Sequence, residues 1–367
     1  MIKSFNYFNP VHIHFGYDAI RMASNVLKDL RVLLVTSKGF VNRGLVTELE
    51  KQLNNSFFII DSVSPNPSLQ TVGNLYKESY GYDFDIILAV GGGSVIDTAK
   101  VLSVRTKEGN FTSITKLIHL GVDVEYTICP VVAIPTTSGT SSEITPWATI
   151  WDPVESRKYS LHLPDLWCKH AIYDPHLTVS LPESITISSG LDSLSHSFEA
   201  LWNINSNPIS THFALEAIED IMKYLPRLRE DLSDLDVREK IMLASCKAGL
   251  AFSNTKTAIA HAISYSFTLE KSVPHGIACS FTLPFILETA LSLDVFDPLV
   301  KQKLIQISKK DFVEWFGSLG VSCSFEDYNI TIEDLYRIKG QLSQISRSQN
   351  SLVDENALFS NFVSQFS

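Results

Sequence analysis

Asp85-Ile-Ile-Leu-Ala-Val90 runs without a break into Gly91-Gly-Gly-Ser-Val-Ile-Asp-Thr-Ala-Lys100. The first six residues are strand-length and nearly uniformly apolar, as expected of a strand buried on both faces of a parallel sheet. The three glycines that follow let backbone approach a pyrophosphate closely, and the N–H groups opening the next helix favour negative charge. Strand before and helix after set the segment apart from an ordinary glycine turn. It is neither a GxxxxGK[ST] loop nor a GxGxxG fingerprint.

Arg31-Val-Leu-Leu-Val-Thr36, Phe57-Phe-Ile-Ile60 and Val131-Val-Ala-Ile134 have the same apolar character. With helical stretches between them they predict a doubly wound α/β N-terminal dinucleotide-binding domain over residues 1–180. After Leu181 such runs become rare and a 3.6-residue period takes over. Ile209 to Leu228 sets Phe213, Ala214, Ala217, Ile218, Ile221 and Leu225 on one stripe. Arg238 to Phe252 and Val300 to Leu319 also read as helices, so residues 181–367 are predicted to form an all-α C-terminal domain.

Composition narrows the function classes. Thirty Lys plus Arg against forty Asp plus Glu give a formal charge of −10, which argues against nucleic acid or an anionic membrane as the main partner. Any anionic ligand therefore needs a local positive site. The N-terminus lacks the apolar core of a signal peptide and no apolar run reaches bilayer-spanning length, so a cytoplasmic protein is expected. The five cysteines are scattered without a CxxC pair. They read as small buried or semi-buried residues, with neither a disulfide framework nor a thiolate metal site expected.

Pro135-Thr-Thr-Ser-Gly-Thr-Ser-Ser-Glu-Ile-Thr145 follows another apolar strand. Its hydroxyls can cradle a ribose, phosphate or amide, although such stretches also serve as caps and turns. In the helical half, Gly190-Leu-Asp-Ser-Leu-Ser-His-Ser-Phe-Glu-Ala200 puts Asp192 and His196 four residues apart, on one helix face. His261, in Thr257-Ala-Ile-Ala-His261, and His275, in Val273-Pro-His-Gly276, add two imidazoles. A single histidine is more often a satisfied polar residue, but one carboxylate with three imidazoles suits a divalent first-row metal, Fe²⁺ or alternatively Zn²⁺.

Taken in chain order, Gly-Gly-Gly-Ser-x-x-Asp-x-x-Lys, Pro-Thr-Thr-x-Gly-Thr-x-x-Glu, Asp-x-x-x-His and the later His with Pro-His-Gly resemble the iron-containing (group III) alcohol dehydrogenases. The resemblance implies a dehydroquinate synthase-like fold, a Rossmann-like NAD(P)-binding α/β domain followed by a helical metal-binding domain, and a homodimer. It implies Asp192, His196, His261 and His275 as metal ligands, and Gly92, Gly93 and Ser94 at the pyrophosphate with Asp97 nearby. Thr136, Thr137, Thr140 and Lys158 would line the nicotinamide end. Ser37 stands where many members carry an acidic residue that repels a 2′-phosphate, so NADP(H) is expected to be accepted beside NAD(H). Tyr265 stands where many members carry a further active-site histidine, which places the usual proton relay in doubt.

The segment from Phe252 to Tyr265, with Lys158-Tyr159 and Ser160-Leu-His162, looks most like the phosphonoacetaldehyde reductase branch. Thr255, Lys256, Thr257 and Tyr265 would then offer one cation and several donors to a phosphonate; the alternative leaves Lys256 on a solvated helix face. Lys158, Lys256 and Tyr265 are thus the candidate catalytic residues beside the metal. The expected activity is NAD(P)H-dependent reduction of a small aldehyde, phosphonoacetaldehyde to 2-hydroxyethylphosphonate. Two other readings are a general short-chain primary alcohol dehydrogenase and a non-redox lyase of the dehydroquinate synthase type. The lyase needs more basic residues than this sequence offers.

Overall fold

The computed structural model describes residues 4–53, 57–120, 124–152, 157–343, 345 and 347–366. The chain divides into two compact units, 9–180 and 181–367, the latter joined by Met1–Phe8. The initial segment, expected with the α/β half, is held in the helical one. There the Tyr7 hydroxyl donates to Leu250 O and the Phe8 N–H to Asn254 Oδ1.

Ten strands are seen among the described residues of the first unit: β1 (His12–Phe15), β2 (Val32–Val35), β3 (Phe57–Ile60), β4 (Ile86–Gly91), β5 (Val104–Thr106), β6 (Tyr126–Ile128), β7 (Val131–Pro135), β8 (Trp147–Asp152), β9 (Arg157–His162) and β10 (His170–Tyr173). Six form one sheet in the order β1-β10-β7-β4-β2-β3, with every ladder parallel. Successive residues of its central strands enter opposite cores. Leu33, Val35, Ile87, Ala89, Val131 and Ala133 face one, and Val32, Leu34, Ile86, Leu88, Val132 and Ile134 the other. That double burial is why these strands read as unbroken apolar runs. From β2 the chain steps to β3 on one side and then, through β4, β7 and β10, to the other. The strand order therefore reverses between β2 and β4, and the carboxyl ends of these two strands flank the ligand crevice of such sheets. Strands β1, β8 and β9 escape the apolar-run criterion because they carry exposed or polar residues; β8 and β9 form a separate antiparallel pair.

The first unit's helices are α1 (Ala19–Leu27), α2 (Lys38–Asn42), α3 (Leu45–Leu53), α4 (Leu69–Ser79), α5 (Gly93–Ser103) and α6 (Phe111–Leu120). The second unit is helical among its described residues. Its site-bearing helices are α7 (Glu183–Leu201), α8 (Pro208–Glu230), α9 (Leu235–Thr255), α10 (Ile259–Lys271) and α11 (His275–Ser280). Around one core pack Leu191, Leu194 and Phe198 of α7, the α8 stripe Ala214, Ala217, Ile218, Ile221 and Leu225, and Ile241, Ala244 and Ala248 of α9. The helix expected over Val300 to Leu319 is two, Pro298–Leu304 and Lys309–Ser318. Ser308 breaks it by acting as an N-cap, its Oγ accepting from the Asp311 N–H. No helix among the described residues is long and apolar enough to cross a membrane.

Candidate active site

In the α/β unit the glycine loop lies where the sheet topology calls for a ligand. Gly92 is the N-cap of α5 and Gly93 its first residue, directly beyond β4. The Thr-rich segment after β7 packs onto this loop, and the Thr136 N–H donates to Gly91 O at 3.1 Å. Thr137 lies against Gly92 and Thr140 against Gly93, where an added Cβ would sit 2.5 Å from Thr140 Oγ1. The two polar loops thus pack against one another, and the missing side chain at Gly93 leaves room for Thr140. Ser94 Oγ accepts from the Asn66 N–H at 3.1 Å. Ser37 follows β2 and opens α2, on the other side of the strand-order reversal. Thr36, not singled out from sequence, ties these strand ends together by donating its Oγ1 hydrogen to Val90 O at 2.8 Å.

Asp97 and Lys100 support this surface from beneath. The Asp97 carboxylate accepts from the Thr149 N–H at 2.9 Å and stands 3.7 Å from Lys100 Nζ. Its burial raises the pKa, against the pull of Lys100. Lys100 is fully buried and donates to the carbonyls of Ser142, Thr145 and Trp147, clamping α5 to the Thr-rich segment. Lys158 lies on β9 with its ammonium 5.1 Å from the centre of the Trp151 ring, in the same unit as these loops.

Glu143, the acidic end of the Thr-rich motif, accepts from the Tyr173 hydroxyl at 2.9 Å, and burial pushes its pKa from 4.5 to about 7. The folded chain therefore holds this proton more tightly than the unfolded chain does. The associated stability is fully present below pH 4.5 and is lost as pH rises through about 7. Glu143→Gln keeps an oxygen for Tyr173 but cannot ionise. Its melting temperature relative to the native sequence is expected to rise between about pH 5 and about pH 8. A pH-independent difference in thermal melts would count against this role.

In the helical unit, four side chains singled out from sequence converge. Asp192 Oδ1 is 3.7 Å from His196 Nε2, one turn along α7, and 3.3 Å from His261 Nε2 on α10. Donor atoms of Asp192, His261, His275 and Cys279 all lie within 4.8 Å of one another. The His196 ring is stacked between His261, at 4.6 Å, and Phe252, at 3.9 Å. Burial alone would raise the Asp192 pKa, but His196, His261 and His275 together hold it well below the usual carboxylate range.

Helix α11 reaches this cluster because residue 276 is glycine. A Cβ there would lie 1.8 Å from Ser188 O of α7, so no other residue allows so close an approach of the two backbones. Cys279 is buried, as read from the sequence, but it stands among the candidate donor atoms, where no thiolate was expected. Its Sγ lies 3.8 Å from Asp192 Oδ1 and donates to His275 O at 2.9 Å. The sulfur is 3.7 Å from both ring nitrogens of His275. Such equal distances put it alongside the imidazole rather than in line with either lone pair.

Glu199 was also missed, although it follows His196 by three residues on the face that carries Asp192. It is fully buried and accepts twice from His261, from the backbone N–H at 3.0 Å and from Nδ1 at 2.5 Å. With Nδ1 paired to Glu199, His261 turns its Nε2 toward Asp192 Oδ1, at 3.3 Å, and toward the other donor atoms. This is the carboxylate–histidine arrangement that orients metal ligands. One carboxylate and three imidazoles, one of them oriented from behind by Glu199, would fit a divalent first-row cation, which binds imidazoles in their deprotonated form.

The residues proposed for substrate divide. Tyr265 lies one turn beyond His261 on α10, where burial raises its pKa, so the phenol stays protonated at neutral pH. Lys256 ends α9 with an exposed side chain. Its own backbone is held at φ 68° and ψ 175°, a conformation that costs a non-glycine residue about 1–3 kcal/mol. Asn203 Nδ2 donates to Lys256 O at 3.1 Å, and the Lys256 N–H donates to Phe252 O at 2.7 Å, which together keep it there. Among the described residues no hydrogen bond joins the Lys256 ammonium to Tyr265. The cation at Tyr265 is Arg347, which sequence reasoning missed: its Nη1 donates to the phenol oxygen.

Comparison with known proteins agrees with both halves. Residues 10–175 match the family profile of iron-containing alcohol dehydrogenase, and residues 186–341 that of the Fe-containing alcohol dehydrogenase family, C-terminal. A sulfoacetaldehyde reductase of Bilophila wadsworthia (strain 3_1_6) is 30% identical over 288 residues, covering 77% of this chain and 74% of that protein. An NADPH-dependent butanol dehydrogenase of Clostridium saccharobutylicum is 30% identical over 80% of this chain and 76% of its own. The crystal structure of sulfoacetaldehyde reductase from Bifidobacterium kashiwanohense in complex with NAD+ superposes with a TM-score of 0.90 at 25% identity, covering 100% of this chain and 99% of that one. Matched along both units, the chain belongs to the iron-containing alcohol dehydrogenase family, NAD(P)-dependent oxidoreductases acting on alcohols.

Proposed function

We propose that the protein reduces a small anionic aldehyde, phosphonoacetaldehyde in the first instance, with NADH or NADPH and a divalent metal, Fe²⁺ or alternatively Zn²⁺. The observation that carries the reaction type is the cluster of Asp192, His261, His275 and Cys279, with His196 3.7 Å from Asp192 and Glu199 behind His261. Bound to the protein, the metal supplies Lewis acidity toward the aldehyde oxygen and the reduced nicotinamide supplies hydride to the carbonyl carbon.

The chain's own residues do the rest. Gly92, Gly93 and Ser94 hold the pyrophosphate at the start of α5. Thr136, Thr137, Thr140 and Lys158 line the nicotinamide end, and Ser37 leaves room for either adenosine ribose. Tyr265 stays protonated and donates a hydrogen bond, while the proton that completes the alcohol comes from ribose hydroxyls or water. The anionic preference draws support from the sulfoacetaldehyde reductase relatives, since a sulfonate and a phosphonate are both tetrahedral oxyanions. The butanol dehydrogenase relative favours the second reading, a general short-chain alcohol dehydrogenase.

The test is nicotinamide oxidation by metal-loaded protein with phosphonoacetaldehyde, sulfoacetaldehyde, succinic semialdehyde and simple aldehydes, with each cofactor. Turnover is expected with a clear preference for the tetrahedral anions. Equal rates with acetaldehyde would favour the general dehydrogenase, and no oxidation with any aldehyde would remove the reductase reading.

A further inference from the structure

Three histidines that belong to no motif read from the sequence meet at the edge of the parallel sheet, in the α/β unit and not in the helical unit that holds Asp192. Strand β1 is that edge, and His12 and His14, two residues apart, project from the same face of it. His170 opens β10 directly opposite His12 in the ladder, so its side chain shares that face. His14 Nε2 and His170 Nδ1 stand 3.0 Å apart. The His170 ring centre is 5.1 Å from that of His12 and 5.3 Å from that of His14, with interplanar angles of 24° and 28°. His12 is exposed and the other two are half-buried, so the group is within reach of solvent.

Zinc–imidazole bonds are about 2.0–2.1 Å long, so two nitrogens on one ion stand about 2.9–3.4 Å apart. The His14–His170 separation is that of two ligands on a single cation. Between neutral rings one N–H donates to the other nitrogen, and moving that proton to the far nitrogen of its own ring frees both facing lone pairs with no net proton release. His170 is neutral at pH 7, because burial, with the nearby His14, His12 and Lys169 acting the same way, brings its pKa down to about 4. Neutral imidazoles suit Zn²⁺, Cu²⁺ or Ni²⁺ and not the oxygen-seeking Mg²⁺ or Ca²⁺. We infer that His12, His14 and His170 form a second metal site, for a divalent cation of the zinc type, which staples β1 to β10. His14 and His170 supply the facing nitrogens, and the exposed His12 turns about its side-chain torsions to supply a third. Strand β1 is four residues long and paired on one side only, so a cation shared with a residue 156 positions away secures the edge where its ladder is weakest.

The experiment takes protein already carrying one equivalent of Zn²⁺ and titrates in more by calorimetry, comparing the native chain with His12→Gln, His14→Gln and His170→Gln. Native protein is expected to take up a second equivalent. Each substitution should weaken that second equivalent by at least about 10- to 100-fold, the cost of losing even a partner behind a ligand, and leave the first as it is. Hydrogen exchange of the native protein gives a readout that needs no substitution. The second equivalent should slow exchange of the His12 and Gly16 amides, which donate to Lys169 O and Tyr173 O at 3.1 Å each, and leave peptides of α7 and α10 unchanged. A native protein that stops at one equivalent, any of the three variants binding the second with native affinity, or exchange at β1 indifferent to added Zn²⁺ would overturn the site. Should a variant fail to fold by circular dichroism, native stoichiometry and native exchange decide it. The outcome does not depend on which aldehyde the protein reduces.

Discussion

Gly276→Ala is expected to fold poorly and to lose metal, because the added methyl group meets backbone rather than a movable side chain. Its Cβ would stand 1.8 Å from Ser188 O, so α11 must back away from α7 by more than an ångström to restore an ordinary contact. His275 opens α11 and moves with it, away from Asp192 and His261. Forced overpacking of this kind costs about 1–3 kcal/mol, occasionally more. Two measurements check the expectation: thermal unfolding with and without added metal, and Zn²⁺ affinity by competition with a chelator. A variant that melts with the native protein and binds Zn²⁺ equally would show that α11 accommodates the methyl elsewhere.

Glu199→Gln is expected to keep the fold and weaken metal binding about 10- to 100-fold, the usual cost of losing a partner behind a ligating histidine. The carboxylate accepts both the backbone N–H and the Nδ1–H of His261. An amide can keep one of these bonds, but its NH₂ group then faces the other donor. Relief comes if His261 keeps its proton on Nε2, the nitrogen turned toward Asp192, where it would block metal ligation. Co²⁺-substituted protein reports this directly, since the ligand-field spectrum changes when an imidazole is lost while circular dichroism does not. Affinity within about twofold of native would mean that His261 keeps its orientation without help.

The doubly wound sheet was legible because burial on both faces leaves an uninterrupted apolar run, and β2, β3, β4 and β7 each carry one. Edge strand β1 and the β8–β9 pair were not legible, since polar residues on their exposed sides erase that signal. The helix pattern on α8 held for the same reason as the central strands: its stripe faces one core. The Val300 to Leu319 pattern did not survive intact, because a single serine whose side chain caps the next turn outweighs apolar periodicity. Asp192, His196, His261 and His275 could be chosen because each type is a metal ligand and the motif order is specific.

What the amino-acid sequence determined by itself was therefore local and repetitive: periodicity, a glycine loop between strand and helix, and four residues with ligand chemistry. Tertiary structure alone decided which groups complete them. Glu199, Cys279 and Arg347 are ordinary residues until packing brings them to His261, His275 and Tyr265. Lys256, the cation nearest in sequence to the histidine motif, ends exposed at a strained turn, while the cation on Tyr265 arrives from 82 residues away. The reason is physical: side-chain chemistry and backbone periodicity are properties of short segments. Orientation and charge balance at a buried site depend on contacts between segments that the chain's order does not reveal.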